Sequence, residues 1–437
     1  MVVDAGDFVW KNHRLSLEQR PQQIRKAQVL LEGFALVGMD GVVPGDGDLS
    51  IGIETLATLA GDAGVPLLAA NLVCDGKKPF PGGRVVERGG LRFGIAGVVG
   101  EDVESADCMV TPPVAALETV VAELGSVDLW IVLSHGSDKS DEALASVMKG
   151  NTLLVNGGEG AKYTTPRELP GGVLQLAAGR RGKGVGVARG ELHPGGSGFV
   201  GEDAKEALEK KIERGKARLA SGQKRMKTGK TEQVKGRAKR QVEHYEKELT
   251  RLQSELEALQ TTSSGVAHRL QNEIVGLGRS IEDDPATKAL LDEANKDIGG
   301  IEAPKGDKQN HQVERFVGSA VCQACHAEQA AQYETTRHAS ASATLEQLGR
   351  TADRACFTCH VTGAHHEDGP QSPADVHNDL KNVGCESCHG PGQDHVLSAN
   401  SNKMVALPSV GVCVQCHDGE QDEGRFDPID YFVRVRH

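Results

Sequence analysis

Cys322-Gln323-Ala324-Cys325-His326 is the first of four Cys-x-x-Cys-His motifs in the last quarter of this 437-residue chain. In this pattern the two thiols form thioether bonds with a haem, and the adjoining His binds its iron as the proximal ligand. The sequence therefore predicts four covalently attached c-type haems. The attachment residues are Cys322, Cys325, Cys356, Cys359, Cys385, Cys388, Cys413 and Cys416, and the proximal ligands are His326, His360, His389 and His417.

Two other uses of paired cysteines have to be weighed against haem. Such pairs also build zinc sites, and an oxidising compartment favours disulfides. Zinc does not require a His directly after the second Cys, and here that His follows in all four motifs. Haem attachment is therefore the favoured interpretation. Cys74 and Cys108 lie outside the motifs, and the sequence leaves open whether they form a disulfide or two buried thiols.

The composition is that of a multidomain globular protein. The hydrophobic content is 38%, enough for cored domains, the net charge is -12, and only 3% of residues are aromatic. A haem domain tolerates few aromatic side chains because the porphyrins supply large apolar surfaces. We expect this segment to be largely disordered without haem, and its haems to lie close enough together for electron transfer.

The chain is predicted to contain four segments. Residues 1–200 alternate strand-like and helical stretches, which indicates a mixed α/β domain. The predicted strands are Val2–Val3, Leu67–Val73, Phe93–Val99, Leu129–Leu133, Leu153–Val155 and Val173–Ala178, and the predicted helices are Ile24–Val37 and Val114–Leu124. Residues 201–262 are a helical hairpin, residues 263–312 a polar linker with a helix at Pro285–Ile298, and residues 313–437 a small, mainly α-helical haem domain.

The hairpin prediction rests on two apolar seams with heptad-like spacing, which is typical of coiled coils. The seams lose phase at Thr228–Thr231, so we expect an antiparallel hairpin, with one continuous helix containing a stutter as the alternative. Residues 214–240 hold eleven Lys or Arg and one Glu, whereas residues 311–437 hold 17 Asp or Glu and nine Lys or Arg. The basic run is either a solvated face or a docking surface for an acidic partner. We expect redox partner proteins and self-association through the haem domain or coiled coil, and no nucleic-acid partner.

No apolar run is long enough to span a bilayer, so no transmembrane segment is predicted. The first ten residues lack the features of a signal peptide and resemble a buried strand instead. Because bacteria attach haem c after export, we expect a periplasmic or extracellular protein. We also expect that a piece carrying the signal is absent from this sequence.

The second axial ligand of each iron decides between an electron carrier and an enzyme. A distal His favours electron transfer, while an open position lets small ligands bind. Eleven of the sixteen His lie from His311 onward. The distal candidates are His338, His365, His366, His377, His395 and His437.

The segments FVGSAVCQACHAEQAAQYETTRHASASATL, CFTCHVTG, NVGCESCHGPGQDHV and VCVQCHDGEQDEGRFDPIDYFVRVRH resemble the tetraheme cytochromes of the cytochrome c-554 type. The resemblance covers residues 315–437. It implies that His338, His395 and His437 are distal ligands, each reaching a haem other than that of its nearest motif. It also implies that the second haem, on His360, lacks a distal His. Here His365 and His366 follow that motif as alternative distal ligands, whereas His377 is expected at the surface.

The amino-terminal motifs VVDAGDF, GDGDLSIG, AANLV, LSHG and LVNGGEG resemble the metallophosphoesterase domain of 5′-nucleotidases and UDP-sugar hydrolases. The resemblance implies a βα sandwich and matches Asp7, Asp46 and His135 to metal ligands. The catalytic His of that family is replaced by Gly47, and both His of its last motif are replaced within Gly157–Gly160. Two metals need more ligands than these three residues supply, so a degenerate domain that binds or docks is expected.

These observations favour an electron-transfer protein with a pseudo-phosphatase domain. The first alternative is a haem enzyme that acts on a small nitrogen species, such as NO or hydroxylamine, at the second haem. The less favoured alternative is a metal-dependent phosphoester hydrolase. Whether the chain is an enzyme stays uncertain from sequence, and an electron carrier is preferred.

Overall fold

A computed structural model describes the chain except for residues 11–14, 18, 104, 106, 149, 159–165, 180–181, 193–197, 202–203, 229–231, 263–267, 279, 302–312, 399–401, 403 and 418–425. The chain divides into two compact units. The first contains Met1–Arg14 and Leu30–Asp283, and the second contains Leu15–Val29 and Asp284–His437. Among the described residues, no helix is both long enough and apolar enough to cross a membrane.

The first unit is built from strands and helices that follow one another along the chain. Its strands are β1 (Val3–Asp4), β2 (Gly41–Val42), β3 (Leu72–Cys74), β4 (Gly83–Arg88), β5 (Leu91–Val99), β6 (Cys108–Val110), β7 (Leu129–His135), β8 (Thr152–Asn156), β9 (Arg167–Leu169), β10 (Val173–Leu176), β11 (Gly184–Glu191), β12 (Phe199–Gly201) and β13 (His268–Gly276). Helix α1 (Arg20–Val37) contributes residues to both units. The other helices of this unit are α2 (Asp46–Leu49), α3 (Ile53–Ala63), α4 (Pro113–Leu124), α5 (Asp138–Val147), α6 (Ala204–Thr228) and α7 (Glu232–Thr262).

A six-stranded mixed sheet, in the order β4-β5-β7-β8-β10-β9, forms the centre of this unit. Strands β5, β7, β8 and β10 run parallel, and the two edge strands run antiparallel to their neighbours. The parallel strands are apolar on both faces, as expected when both faces are covered. Helices α4 and α5 pack on one face through a buried cluster that includes Leu117, Val132 and Leu144. The sheet is the α/β architecture that the alternation of elements predicted.

The predicted strand at Leu67–Val73 is much shorter in the structure. Only Leu72–Cys74 forms a strand, which pairs with β6, while Leu67 makes a single bridge to Val42. The apolar run is buried because it crosses the core as an irregular segment, and periodicity cannot distinguish that from a strand.

Cys74 and Cys108 form a disulfide between strands β3 and β6. It closes a loop with a sequence separation of 34 residues. This settles the alternative that the sequence left open.

Loss of this disulfide should measurably destabilise the first unit. Replacing both cysteines by serine frees a long loop in the unfolded state and should lower the free energy of unfolding by roughly 3 to 4 kcal/mol. Urea unfolding followed by the fluorescence of Trp10 and Trp130, the chain's two tryptophans, would measure the change. A difference below about 1 kcal/mol would contradict the prediction.

The helical hairpin lies between two strands of one sheet. Strand β13 pairs antiparallel with β11 and parallel with β12, so α6 and α7 are inserted between β12 and β13. Strand β13 was not predicted, because most of its residues are polar and it lies in the segment that was assigned to a linker. The two helices run antiparallel, since Gly215 faces Leu249 and Gly222 faces Val242. Ile212, Leu249 and Leu252 are buried between them. The proposed turn at 229–231 lies outside the described residues, and coiled-coil packing stays a prediction.

The second unit is almost entirely helical. Beyond its part of α1 it contains α8 (Pro285–Gly300), α9 (Ser319–Gln323), α10 (Ala327–Glu334), α11 (Ala341–Gln347), α12 (Arg354–His360), α13 (Cys385–His389), α14 (Gln393–Leu397), α15 (Val410–Cys413) and α16 (Pro428–Val435). Most of these helices have eight residues or fewer, and a small buried cluster forms around Phe357 and Val361. This small number of buried apolar side chains is consistent with a segment in which bound cofactors complete the core. The four-segment division itself stays a prediction.

Candidate functional site

Three of the four motif histidines face a second histidine. The ring centres lie 6.5 Å apart for His326 and His395, 6.1 Å for His338 and His417, and 5.7 Å for His389 and His437. A metal–imidazole bond is about 2 Å long, so two imidazoles on opposite sides of one metal have ring centres about 6 Å apart. The three pairs therefore fit the two axial positions of haem iron.

Backbone carbonyls hold several of these rings through Nδ1. His360 donates to Ala341 at 2.6 Å, His389 to Val405 at 2.5 Å and His395 to Asn402 at 2.7 Å. Such a bond fixes the tautomer and leaves Nε2 free to bind metal. Burial and the neighbouring His417 lower the pKa of His338, which favours the neutral form that ligates iron.

The histidine of the second motif, His360, has no facing histidine among the described ring contacts. The Nε2 of His365 lies 3.8 Å from the sulfur of Cys359, at the attachment point. The ring of His366 packs against Phe316, and its Nδ1 accepts from the amide of Asp368. His377 is half-exposed beside Asp379. Among the described ring contacts, neither alternative distal ligand, His365 or His366, faces His360, and neither does His377.

The attachment cysteines of different motifs are neighbours. The thiol of Cys385 lies close enough to Cys322 to raise the pKa of that thiol. The sulfurs of Cys359 and Cys416 lie within 4.8 Å of one another. The first motif therefore lies beside the third, and the second beside the fourth. Cys359, Cys416 and His365 could also hold a metal ion, and hydrogen bonds from Cys416 and His365 lower the pKa of Cys359 to about 4. Haem attachment would convert both of these thiols to thioethers.

Sequence reasoning missed one buried carboxylate that joins the motifs. Glu386, between the two cysteines of the third motif, is 2% exposed. It accepts backbone N–H groups of Val317, Gly318 and Gly392 at 2.7 to 2.9 Å. Glu386 thereby ties the segment before the first motif to the third. Glu386 occupies one of the two unspecified positions of the Cys-x-x-Cys-His motif, so the sequence did not indicate this role.

In the first unit, the three residues matched to metal ligands converge. The Nε2 of His135 lies 3.4 Å from Asp7 and 3.8 Å from Asp46, and its Nδ1 donates to the carbonyl of Ala5 at 2.7 Å. Although burial opposes it, the two carboxylates raise the pKa of His135 well above its ordinary value. Asp7 has a φ of +62°, a left-handed backbone conformation that non-glycine residues adopt rarely, although Asp and Asn adopt it more often than most.

The backbone around this acidic cluster leaves no room for the side chains that a phosphoesterase would need. A Cβ on Gly47 would overlap the carbonyl oxygen of Trp10, and a Cβ on Gly158 would overlap that of Gly136. Glu159 and Gly160 lie outside the described residues. Three ligands can hold a single ion, but they do not fit a two-metal centre.

A second buried carboxylate supports the loop beside this cluster. Asp141 accepts from the hydroxyl of Ser134 at 2.5 Å, the amide of Gln175 at 2.6 Å and the amide of Asn156. Asn156 in turn accepts from the N–H of Gly158 at 2.9 Å. Burial raises the pKa of Asp141 to about 6, although these hydrogen bonds oppose the rise.

The raised pKa of Asp141 predicts a pH-dependent stability. Its ordinary value is 3.8, so between pH 4 and 6 the folded state binds a proton that the unfolded state has lost. The contribution of Asp141 to stability is therefore largest below about pH 4 and falls by about 3 kcal/mol as pH rises through 6. Asp141→Asn removes this titration. The free energy of unfolding of the wild type minus that of Asp141→Asn should therefore fall by about 3 kcal/mol as pH rises from 4 to above 6. A difference that does not change with pH would contradict the prediction.

Comparison with known proteins finds a family similar to the part of the chain that holds the first three motifs. Residues 321–390 match the family described as cytochrome c554 and c-prime. A stretch of 96 residues is 34% identical to cytochrome c-554 of Nitrosomonas europaea and covers 18% of this chain and 40% of that protein. The chain thus spans about two fifths of the length of this curated relative.

Several solved structures are similar to part of this chain. They include the sulfate thiohydrolase SoxB of Thermus thermophilus, with 23% identity, a TM-score of 0.38 and coverage of 45% of this chain and 37% of that one. A 5′-nucleotidase precursor of the same species has 23% identity, a TM-score of 0.35 and coverage of 43% and 41%. The calcineurin-like phosphoesterase YfkN of Bacillus subtilis has 18% identity, a TM-score of 0.34 and coverage of 44% and 72%. At these TM-scores they assign no activity to the chain.

The family match includes the first three motifs, and the facing histidine pairs and neighbouring attachment cysteines lie between Cys322 and His437. Haem c, when bound there, would supply a one-electron redox couple. Residues 321–390 are therefore similar to the cytochrome c554 family, and this similarity supports a cytochrome c redox role for that part of the chain.

Proposed function

We propose that the chain is an exported electron-transfer protein with four covalently bound haems c. The observation that carries the proposal is the set of three histidine pairs at 5.7 to 6.5 Å. Two protein ligands on one iron favour electron transfer over binding of small molecules. The adjacency of Cys322 to Cys385 and of Cys359 to Cys416 supports close spacing of the four sites.

The proposed function is tested by following haem reduction in the purified protein. A spectroelectrochemical titration should show four one-electron steps per chain, reversible in both directions. Rapid mixing with a chemical reductant should reduce all four haems without added mediator, because neighbouring sites exchange electrons. Haems that are reduced independently of one another, at widely different rates, would contradict the proposal.

A second candidate function follows from His360. Because His365 contacts Cys359 and His366 contacts Phe316, the second haem would keep an open axial position. An open position can bind a small nitrogen species such as NO or hydroxylamine. A high-spin signal that NO shifts, together with turnover of either molecule by reduced protein, would favour this enzyme. Binding without turnover would leave the electron carrier as the better description.

We propose that the α/β unit serves as a docking or binding module and does not hydrolyse phosphoesters. The backbone beside Gly47 and Gly158 supports this, since neither position admits a side chain. Hydrolysis of a nucleotide or generic phosphoester with added manganese or zinc would overturn it. The disulfide between Cys74 and Cys108 supports a periplasmic or extracellular location.

The hairpin is proposed to dock on an acidic surface, including the haem segment of another copy. Lys224, Arg225 and Lys227 are exposed near the end of α6, and the haem segment has an excess of eight acidic residues. Self-association should therefore weaken as salt is raised from about 0.05 to 0.5 M, because exposed charges become screened. Sedimentation would measure it, with all three residues changed to Glu, and with Lys247→Glu as a control. An assembly state that does not change with salt concentration or with these charge reversals would count against the proposal.

A further inference from the structure

The amino-terminal segment Leu15–Val29 belongs to the same compact unit as the haem motifs, and the function proposed above gives it no role. Its polar contacts reach α8 and the start of α12. Gln22, which is 3% exposed, donates through Nε2 to the carbonyls of Ile298 and Ala352, both at 2.9 Å. Its Oε1 accepts from the backbone N–H of Arg354, the first residue of α12, at 3.0 Å.

Lys26 lies one turn further along α1, on the same face as Gln22. Its Nζ is 2.6 Å from an oxygen of Asp353, a residue that is 1% exposed. Asp353 is the N-cap of α12, where its side chain accepts from the N–H of Ala355 at 3.0 Å. Its other oxygen pairs with Arg350 at 2.6 Å. Gln22 and Lys26 therefore both hold the first turn of α12.

Helix α12 carries Cys356, Cys359 and His360, the motif without a facing histidine. We propose that Gln22 and Lys26 are positioning residues for the haem of this second motif. They hold the start of its attachment helix, and Lys26 also sets the charge beside its first cysteine. The inference rests on the proposed function in one respect, which is that haem is bound at Cys356, Cys359 and His360.

The carboxylate of Asp353 places a negative charge beside the first cysteine of the second motif. Its Oδ2 lies 3.4 Å from the sulfur of Cys356. A thioether sulfur has no proton to donate, so after haem attachment the carboxylate is balanced by Lys26 and Arg350. Removing Lys26 leaves more negative charge beside the second haem. Negative charge stabilises the more positive ferric form over the ferrous form, so the reduction potential of this haem falls.

The test uses the full-length protein with its haems attached. A potentiometric titration followed by EPR reports the high-spin haem separately from the low-spin haems. Lys26→Met should shift the midpoint of the high-spin haem downward and leave the three low-spin midpoints unchanged, whereas Lys26→Arg should restore the wild-type value. Arg25→Met is the matched control, because Arg25 pairs with Asp297 of α8 at 2.8 Å and lies on the same helix. It should leave all four midpoints unchanged.

A Lys26→Met titration like that of the wild type would overturn the inference. So would a shift shared by all four haems or by Arg25→Met, because either would indicate general loosening. If Lys26→Met does not fold, Lys26→Gln, which keeps a polar side chain, should give the same downward shift. Wild-type protein that lacks a high-spin haem would overturn this inference together with the open second site, whereas a silent Lys26→Met in protein that has one overturns the inference alone.

Discussion

Replacing His338 with alanine is expected to convert one low-spin haem into a high-spin haem. His338 faces His417 at 6.1 Å between ring centres, and its loss would remove one of the two axial ligands from the haem of the fourth motif. With the second haem open, as proposed above, the high-spin signal should double, from one to two per chain. EPR spin quantitation and the absorption spectrum of the ferric protein measure this change. The new open site should also bind NO.

His377→Ala provides the matched control for this substitution. His377 is half-exposed and lies beside Asp379, so its removal should leave the spin states unchanged. A His338→Ala protein with an unchanged high-spin signal would show that His338 does not bind iron. Conversion by both variants would instead indicate that the spin state responds to general disturbance of the domain.

Replacing Asp48 with alanine should destabilise the first unit by about 5 kcal/mol, because three backbone donors, two of them in buried hydrogen bonds, lose their acceptor. Asp48 is fully buried. Its carboxylate accepts the backbone N–H groups of Asp7 at 2.8 Å, Val9 at 2.7 Å and Gly45 at 2.8 Å. These three bonds join the chain beside Asp7 to the loop before α2. Urea unfolding followed by tryptophan fluorescence measures the loss.

Two further variants serve as controls for Asp48→Ala. Asp48→Asn removes the charge of the buried carboxylate, and Asp62→Ala removes an exposed carboxylate. Asp48→Asn keeps one acceptor oxygen and should cost less than Asp48→Ala. Asp62 is exposed, so Asp62→Ala should change stability by less than about 0.5 kcal/mol. Equal stability of Asp48→Ala and the wild type would show that the three N–H groups find other partners.

The sequence predicted best those elements whose apolar residues repeat with the period of one type of secondary structure. Strand β7 and helix α4 were predicted within a few residues, because buried parallel strands and amphipathic helices have distinct apolar periods. Strand β13 was missed, since nothing in a polar nine-residue stretch indicates that it pairs with β11 across the inserted hairpin. Pairing partners are a property of the tertiary structure.

The candidate site was predictable in its ligands and not in their arrangement. The motifs predict His326 and His417 as proximal ligands. The sequence offered six candidate distal histidines, and the resemblance selected three of them. Which histidine faces which depends on how short helices pack, and the spacing of residues does not determine that. The contact of Gln22 with Arg354 spans 332 positions of sequence, so no local pattern could reveal it. The roles of the distal histidines and of Asp7, Asp46 and His135 stay predictions.

The central claim is that four haems are covalently bound, three with two histidine ligands and one with an open position. Intact mass and EPR of the protein, purified from a host that matures cytochromes c, test it most directly. The account predicts a mass equal to the polypeptide plus four haems, with three low-spin irons and one high-spin iron. A mass equal to the bare polypeptide, or four low-spin irons, would contradict it.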